Sequence, residues 1–139
     1  MQLEAQGYNI IVNHINLTNN KLPAGNFTLK PVIQRKVGRL DNQENGYAIE
    51  LSVTIENTEE TAFPINLDAS ITGIFLFNQG TEEERIEYLN YEGVRIVFPY
   101  LRTLVANVTA SSLMPSVMLP LISPSDFKQD NVMQMKKPA

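Results

Sequence analysis

The chain has 139 residues, 43% apolar and 19% charged, enough for one core and too apolar for a disordered acidic polymer. Its net charge of −4 comes without a block of Lys or Arg, which excludes nucleic acid and anionic membrane as natural partners. Cysteine is absent, so disulfides, thiol nucleophiles and thiolate metal sites are excluded, and a reducing compartment suits the chain.

The opening MQLEAQGYNIIV has no basic, apolar leader pattern, and no run is long enough to span a membrane. A single cytoplasmic domain over residues 1–139 is therefore expected, and the Asn-X-Thr tripeptides at Asn16, Asn26 and Asn107 read as chance. Residues 8–17 alternate loosely and predict an edge strand. A turn cluster (Asn19, Asn20, Pro23, Gly25, Asn26) separates it from a second strand over Phe27 to Val37, where Pro31 implies an edge or a bulge. Tyr47, Ile49, Leu51, Val53 and Ile55 then alternate with polar residues, as in a strand with one wet face. Phe63, Ile65, Leu67, Ala69 and Ile71 repeat that odd register and run through Gly73, a candidate bulge or bend, into Ile74–Phe77. Short connections make such strands antiparallel neighbours.

Thr81 is placed to cap a short helix, with Glu82, Glu83 and Glu84 in the first turn, where the helix dipole favours negative charge. The longest helical period follows, from Val94 to Leu113. Phe98, Leu101, Val105 and Val108 form one stripe, and Val94, Val97, Leu104 and Ala106 widen it. Pro99 suits a first turn, which puts the helix start at Val94 or Arg95 and makes Gly93 a break. A helix apolar on more than one side needs more cover than one sheet supplies. The expectation is a helix held between its own sheet and another subunit, with Phe98, Leu101, Val105 and Val108 at the oligomer interface; burial within one subunit is the alternative. After Leu113, Pro115, Pro120 and Pro124 keep the chain extended, Ser125-Asp126 can cap a last short helix, and 136–139 form a fraying tail. Strands followed by helices predict an α+β fold: a four-stranded antiparallel sheet backed by one long and one or two short helices.

Catalytic chemistry finds no foothold. His14 is the one histidine, without an acidic partner nearby in sequence, and reads as a structural or surface residue. The glycines show neither phosphate-loop nor dinucleotide spacing, and no G-x-S-x-G occurs. No metal cluster, cofactor or enzyme activity is expected. The residues by themselves imply an oligomeric α+β binding protein.

Three blocks in order carry a resemblance. Tyr47–Ile55 with Glu59-Glu60-Thr61-Ala62-Phe63 and Gly73-Ile74-Phe75 comes first, then Phe98-Pro99-Tyr100-Leu101-Arg102 opening a long helix, then Met118-Leu119-Pro120-Leu121-Ile122 followed by Phe127. Together these resemble SecB, the bacterial protein-export chaperone family, over about residues 47–127. The resemblance implies a dimer of dimers that uses no ATP and holds unfolded client chains, such as preproteins for export, in apolar grooves. It nominates Phe63, Phe75 and Phe127 for the groove; Tyr91 and Tyr100 join them by aromatic character. It also implies docking on the translocase ATPase SecA through acids on the exposed sheet face. Here the chain departs: Asn66 stands where an acid is expected, Asp68 lies two residues on along the same face, and Asn19 and Asn20 replace acids near the first strand. The anionic patch for a basic partner is weakened accordingly. The leading expectation is a SecB-like holdase. The alternative is a module of the same fold dedicated to one partner, such as an antitoxin, or to a small apolar ligand.

Overall fold

The computed structural model describes residues 3, 5–23, 25–41, 43–120 and the strand path of 130–135. β1 (Gly7–Asn19), β2 (Val32–Leu40), β3 (Gly46–Ile55) and β4 (Ile65–Leu76) form the expected four-stranded antiparallel sheet. α1 (Glu82–Tyr88), a π-helical turn (Leu89–Gly93) and α2 (Val94–Ser111) follow, and β5 (Asp130–Met135) adds to the sheet parallel to β2. That fifth strand was not expected. The candidate short helix at Ser125-Asp126 and the tail over 136–139 lie outside the described residues.

Strand order is β1-β4-β3-β2-β5. β2, β3 and β4 follow one another through short turns, whereas β1 pairs with β4, not with β2. Asn19 lies opposite Ile65 and Val32 opposite Thr54, so the connection over 20–31 crosses the sheet at the end where β3 turns into β4. Phe27 to Pro31, expected within the second strand, belong to this crossover. The ladder starts at Val32, immediately after Pro31, which has no N–H to give it.

The inward faces of β3 and β4 follow the odd register: Ile49, Leu51, Val53, Ile55, Ile65, Leu67, Ala69 and Ile71 are buried. Pairing runs unbroken through Gly73, opposite Ile10 on one side and Ile49 on the other, so Gly73 is not a bulge. It is the point of closest approach between sheet and helix. A Cβ there would lie 2.6 Å from Val97 Cγ2 and 3.0 Å from Phe75 Cε1. The bulge sits in β1 instead, between Val12 and His14. It turns the strand's parity over, so Ile10 and Val12 before it share a face with Ile15 and Leu17 after it.

Thr81 caps α1 as expected, through a reciprocal pair with Glu84: the Glu84 N–H donates to Thr81 Oγ1 (3.2 Å) and the Thr81 N–H to Glu84 Oε1 (2.9 Å). That backbone hydrogen bond holds the Glu84 carboxyl below its ordinary pKa. Gly93 is no break. Its backbone is helical (φ −59°) and buried, and a Cβ would press to 3.2 Å from Leu89 Cδ2. Nor is Pro99 in a first turn; it lies inside α2. Its ring occupies the exposed side, where water can take the Arg95 carbonyl that lacks an intrahelical N–H. The widened turn before α2 is tied to the sheet by buried Arg35 of β2, whose Nη1 donates to the Asn90 carbonyl at 2.8 Å.

Gly73→Ala is expected to cost about 1–3 kcal/mol in urea unfolding, the range for overpacking. Adding Val97→Ala, which removes the atom in the way, should recover part of that loss. Full stability of the single variant would rule out the close approach.

Candidate functional site

At the sheet end crossed by 20–31, the crossover and the chain after α2 leave an apolar cleft of about 310 Å³. Phe27 and Leu29 come from the crossover, Phe63 to Ile65 from the entry to β4, and Met114 to Met118 from the extended segment. The Phe27 and Phe63 rings meet edge to face at 6.3 Å. Phe63 is itself pinned, its N–H donating to Asn57 Oδ1 and its carbonyl accepting from Asn20 Nδ2.

One buried and one half-buried polar group hold the outer wall of this cleft. Thr109 Oγ1, within the helix, donates to the Val105 carbonyl (2.9 Å) and accepts the Val117 N–H (2.8 Å). Arg102 Nε donates to the Leu119 carbonyl at 2.7 Å, and the Leu119 side chain is fully buried. The wall remains extended because Pro115 and Pro120, which flank those anchors, cannot continue a helix.

A second apolar cleft, about 520 Å³, lies between β1 and the outer side of α2, lined by Ile10, Val12, Ile71, Tyr100 and Leu104 among others. Tyr8 and Tyr100 are half exposed (51% and 50%), and Tyr8 stacks on Phe75 at 5.5 Å between ring centres. The Tyr8 O–H donates to Tyr100, and this bond to its neutral form, with repulsion between the two phenolates, raises the Tyr8 phenol above its ordinary pKa. Among the described residues β1 has a ladder partner on one side alone, β4, so its other edge offers backbone groups for pairing beside this cleft.

The sheet's other face is polar. Asn13, at the bulge, donates to Ser70 Oγ and Thr72 Oγ1, and Ser70 donates to Glu50. Asn66 accepts from Asn20 Nδ2 and from the Asn57 N–H. Asp68 faces His14, Nε2 to Oδ2 at 3.3 Å, a partner that neighbouring sequence could not reveal. Both nominated docking residues are thus engaged within the chain.

Of the nominated groove residues, Phe63 lines the first cleft. Phe75 does not: it is fully buried beneath Tyr8 and Tyr88, at the far end of β4. The β4 alternation that fixes its inward direction carries it under the helix. Tyr91 is exposed on the π-helical turn, Tyr100 belongs to the second cleft, and Phe127 lies outside the described residues. Phe98, Leu101 and Val105, expected at an oligomer interface, are buried against the chain's own sheet, and Val108 is half buried. The helix side left open carries Tyr100, Thr103, Leu104 and Asn107 instead. Phe27, Leu29 and the Met114–Met118 wall were missed. The available signal was the presence of large apolar residues in segments rich in turn formers and prolines.

Comparison with known proteins accounts for this architecture. The family model of the preprotein translocase subunit SecB matches residues 13–136, nearly the whole chain. The chain belongs to the SecB family. SecB-family chaperones are not enzymes, in accord with the absence of catalytic motifs from the sequence. An uncharacterized protein of Methanocaldococcus jannaschii is 26% identical over 118 residues, 83% of this chain and 76% of its own. The protein-export protein SecB of Psychrobacter arcticus is 28% identical over 91 residues, covering 66% of this chain and 58% of its own. Among solved structures, the SecB-like chaperone Rv1957 of Mycobacterium tuberculosis, in complex with a peptide from the HigA1 antitoxin, superposes with a TM-score of 0.68. It shares 18% identity and covers 88% of this chain and 90% of its own, a likeness of fold. No helix among the described residues of this SecB-family chain is long and apolar enough to cross a membrane.

Thr109→Val keeps the volume of the buried side chain and removes its acceptor. The Val117 amide is expected to exchange with solvent at least ten times faster, at a stability cost of about 1–2 kcal/mol. Unchanged exchange would show that Thr109 does not hold the cleft wall.

Proposed function

We propose that this chain is an ATP-independent holdase that binds unfolded segments of client polypeptides in the Phe27–Phe63–Met118 cleft. The observation that carries the reading is an open apolar groove with aromatic floor and methionine-rich wall, held by anchored backbone on a SecB-family fold. Flexible thioether side chains and aromatic rings bind varied apolar side chains with little sequence demand. Phe63 keeps its nominated role; Phe27, Leu29, Met114 and Met118 join it.

Client range is the finer question. Asn66 carries no charge and is hydrogen-bonded within the chain, and Asp68 faces His14, so the anionic patch at these two positions is weak for a basic translocase such as SecA. That favours a dedicated client, and the peptide-bound antitoxin complex of the mycobacterial relative supports an antitoxin-like one. A general export holdase remains the competing reading, with preproteins as clients and the cytoplasm as its site of action.

The outer edge of β1, beside a cleft carrying Val12, Tyr100 and Leu104, suits a second copy of the chain, and two such pairs would form the dimer of dimers. Because Leu101 and Val105 lie in the subunit core, a charge there would unfold the subunit; Leu104 is the position that separates assembly from folding.

Light scattering with and without reduced, carboxymethylated α-lactalbumin tests the function. Wild type should gain client mass, and Phe27→Ser with Met118→Ser should weaken binding about ten-fold or more with the circular dichroism unchanged. Suppressed aggregation of several unrelated unfolded proteins would favour the general holdase, whereas action on a single one would favour the dedicated reading. No client gain at all would remove both. Leu104→Asp is expected to lower the number of subunits while the fold persists; an unchanged mass would place the subunit contact elsewhere.

A further inference from the structure

β5 differs from the rest of the sheet in the way it is held. The pairings among β1 to β4 are antiparallel, whereas β5 is parallel to β2, its one ladder partner among the described residues, and stands at the edge. Parallel pairing is slightly the weaker per residue, and parallel strands are ordinarily covered on both faces. β5 also opens with Asp130 and Asn131, residue types depleted in strands. Of the five strands it is the one its own chain holds least firmly.

β2 keeps its place by other means. Its ladder with β3 runs from Val32 to Arg39 without a shift, and Val37 belongs to the buried core. From within, Arg35 Nη1 holds the Asn90 carbonyl at 2.8 Å. Departure of β5 would therefore leave a regular row of backbone donors and acceptors, a template for another extended chain. Part of that row is open already. β5 begins opposite Arg35, so Val32, Ile33 and Gln34 pair with β3 and have no described residue of β5 beside them. Val32 is 44% exposed. The same stretch follows the crossover, whose Phe27 and Leu29 line the groove. A polypeptide that leaves the groove along the crossover meets the open start of a strand ladder.

We infer that β5 is an internal competitor strand: it occupies the β2 edge until an extended client segment pairs there, from Val32 toward Leu40, and displaces it. This rests on the holdase reading and adds to it a contact made through backbone, which makes little demand on client sequence. A client strand running antiparallel to β2 exchanges the weaker kind of ladder for the stronger. Because the occupant is tethered, segments that stay extended displace it and briefly extended ones do not.

Hydrogen exchange read by mass spectrometry, on the full chain with and without carboxymethylated α-lactalbumin, tests the displacement. Client should leave the β2 amides protected while exchange over 130–135 accelerates about ten-fold or more. Two variants move the competition in opposite directions. Val132→Pro with Met133→Pro removes the N–H that one of these neighbours directs at β2. It should lower the client Kd about ten-fold, as for an edge otherwise open in about one molecule in ten. Lys36→Cys with Asn131→Cys, paired in register in a chain without other cysteines, lets a disulfide lock β5 in place. Oxidation should abolish the accelerated exchange and weaken client binding, and reduction should restore both. Unchanged exchange over 130–135 with client bound, or one Kd for all three chains, would overturn the inference and leave the groove reading standing. A larger subunit number in the proline variant without tighter client binding would overturn it in favour of a strand that shields the edge from other copies. The wild-type exchange and the disulfide decide the matter even where the proline variant does not fold. A client bound by none of the chains would remove the holdase reading and the inference together.

Discussion

The structure depends on a mismatch of width. Four antiparallel strands about 4.8 Å apart present an apolar face wider than one helix of about 10 Å diameter can cover. α2 settles along the middle, where Gly73 lets Val97 come down onto β4, and Phe98, Leu101 and Val105 complete the contact. The apolar surface it leaves must then be met by something else. At the sheet end beyond the last turn of α2 it is the crossover and the post-helix segment, which cover it incompletely and leave the groove. To one side of the helix it is β1, whose Ile10 and Val12 leave a cleft beneath the outer side of α2.

A groove of this kind needs walls that persist when empty. An apolar wall free to collapse would bury itself and close the cleft, because burial of apolar area is favourable and non-directional. Hydrogen bonds supply the direction that apolar contacts lack. Thr109 and Arg102 take hold of the backbone at Val117 and Leu119, and Asn57 and Asn20 hold both peptide groups of Phe63. The apolar side chains are thereby positioned by polar anchors set around the cleft. The same division of labour fixes the helix entry, where buried Arg35 meets the carbonyl of Asn90.

The bulge at Asn13 has a comparable role in β1. Without it, a thirteen-residue edge strand would present Ile10 and Val12 to one face and Ile15 and Leu17 to the other. The extra residue unites them on the helix side and sends Asn13 and His14 to the polar face, toward Ser70, Thr72 and Asp68. This parity change is also why the segment alternates loosely when read as sequence.

Local chemistry was legible from the residues. The odd-numbered alternation of β3 and β4, the Thr81–Glu84 cap, the long helical stripe and the three ordered blocks of the family resemblance all depend on spacing within short segments. Side-chain direction repeats every two residues in a strand and about every 3.6 in a helix, so composition along a segment reveals which face is buried. What tertiary structure alone decided was pairing and cover: β1 beside β4, β5 beside β2, His14 opposite Asp68, Pro99 on the open side of a continued helix. It also decided which apolar residues sink and which line a surface. Phe75 on β4 and Phe63, two residues before that strand, share the odd register, yet the first lies under the helix and the second lines the groove. Periodicity specifies direction, whereas exposure depends on what distant segments bring to cover each position, and that follows from the path of the whole chain.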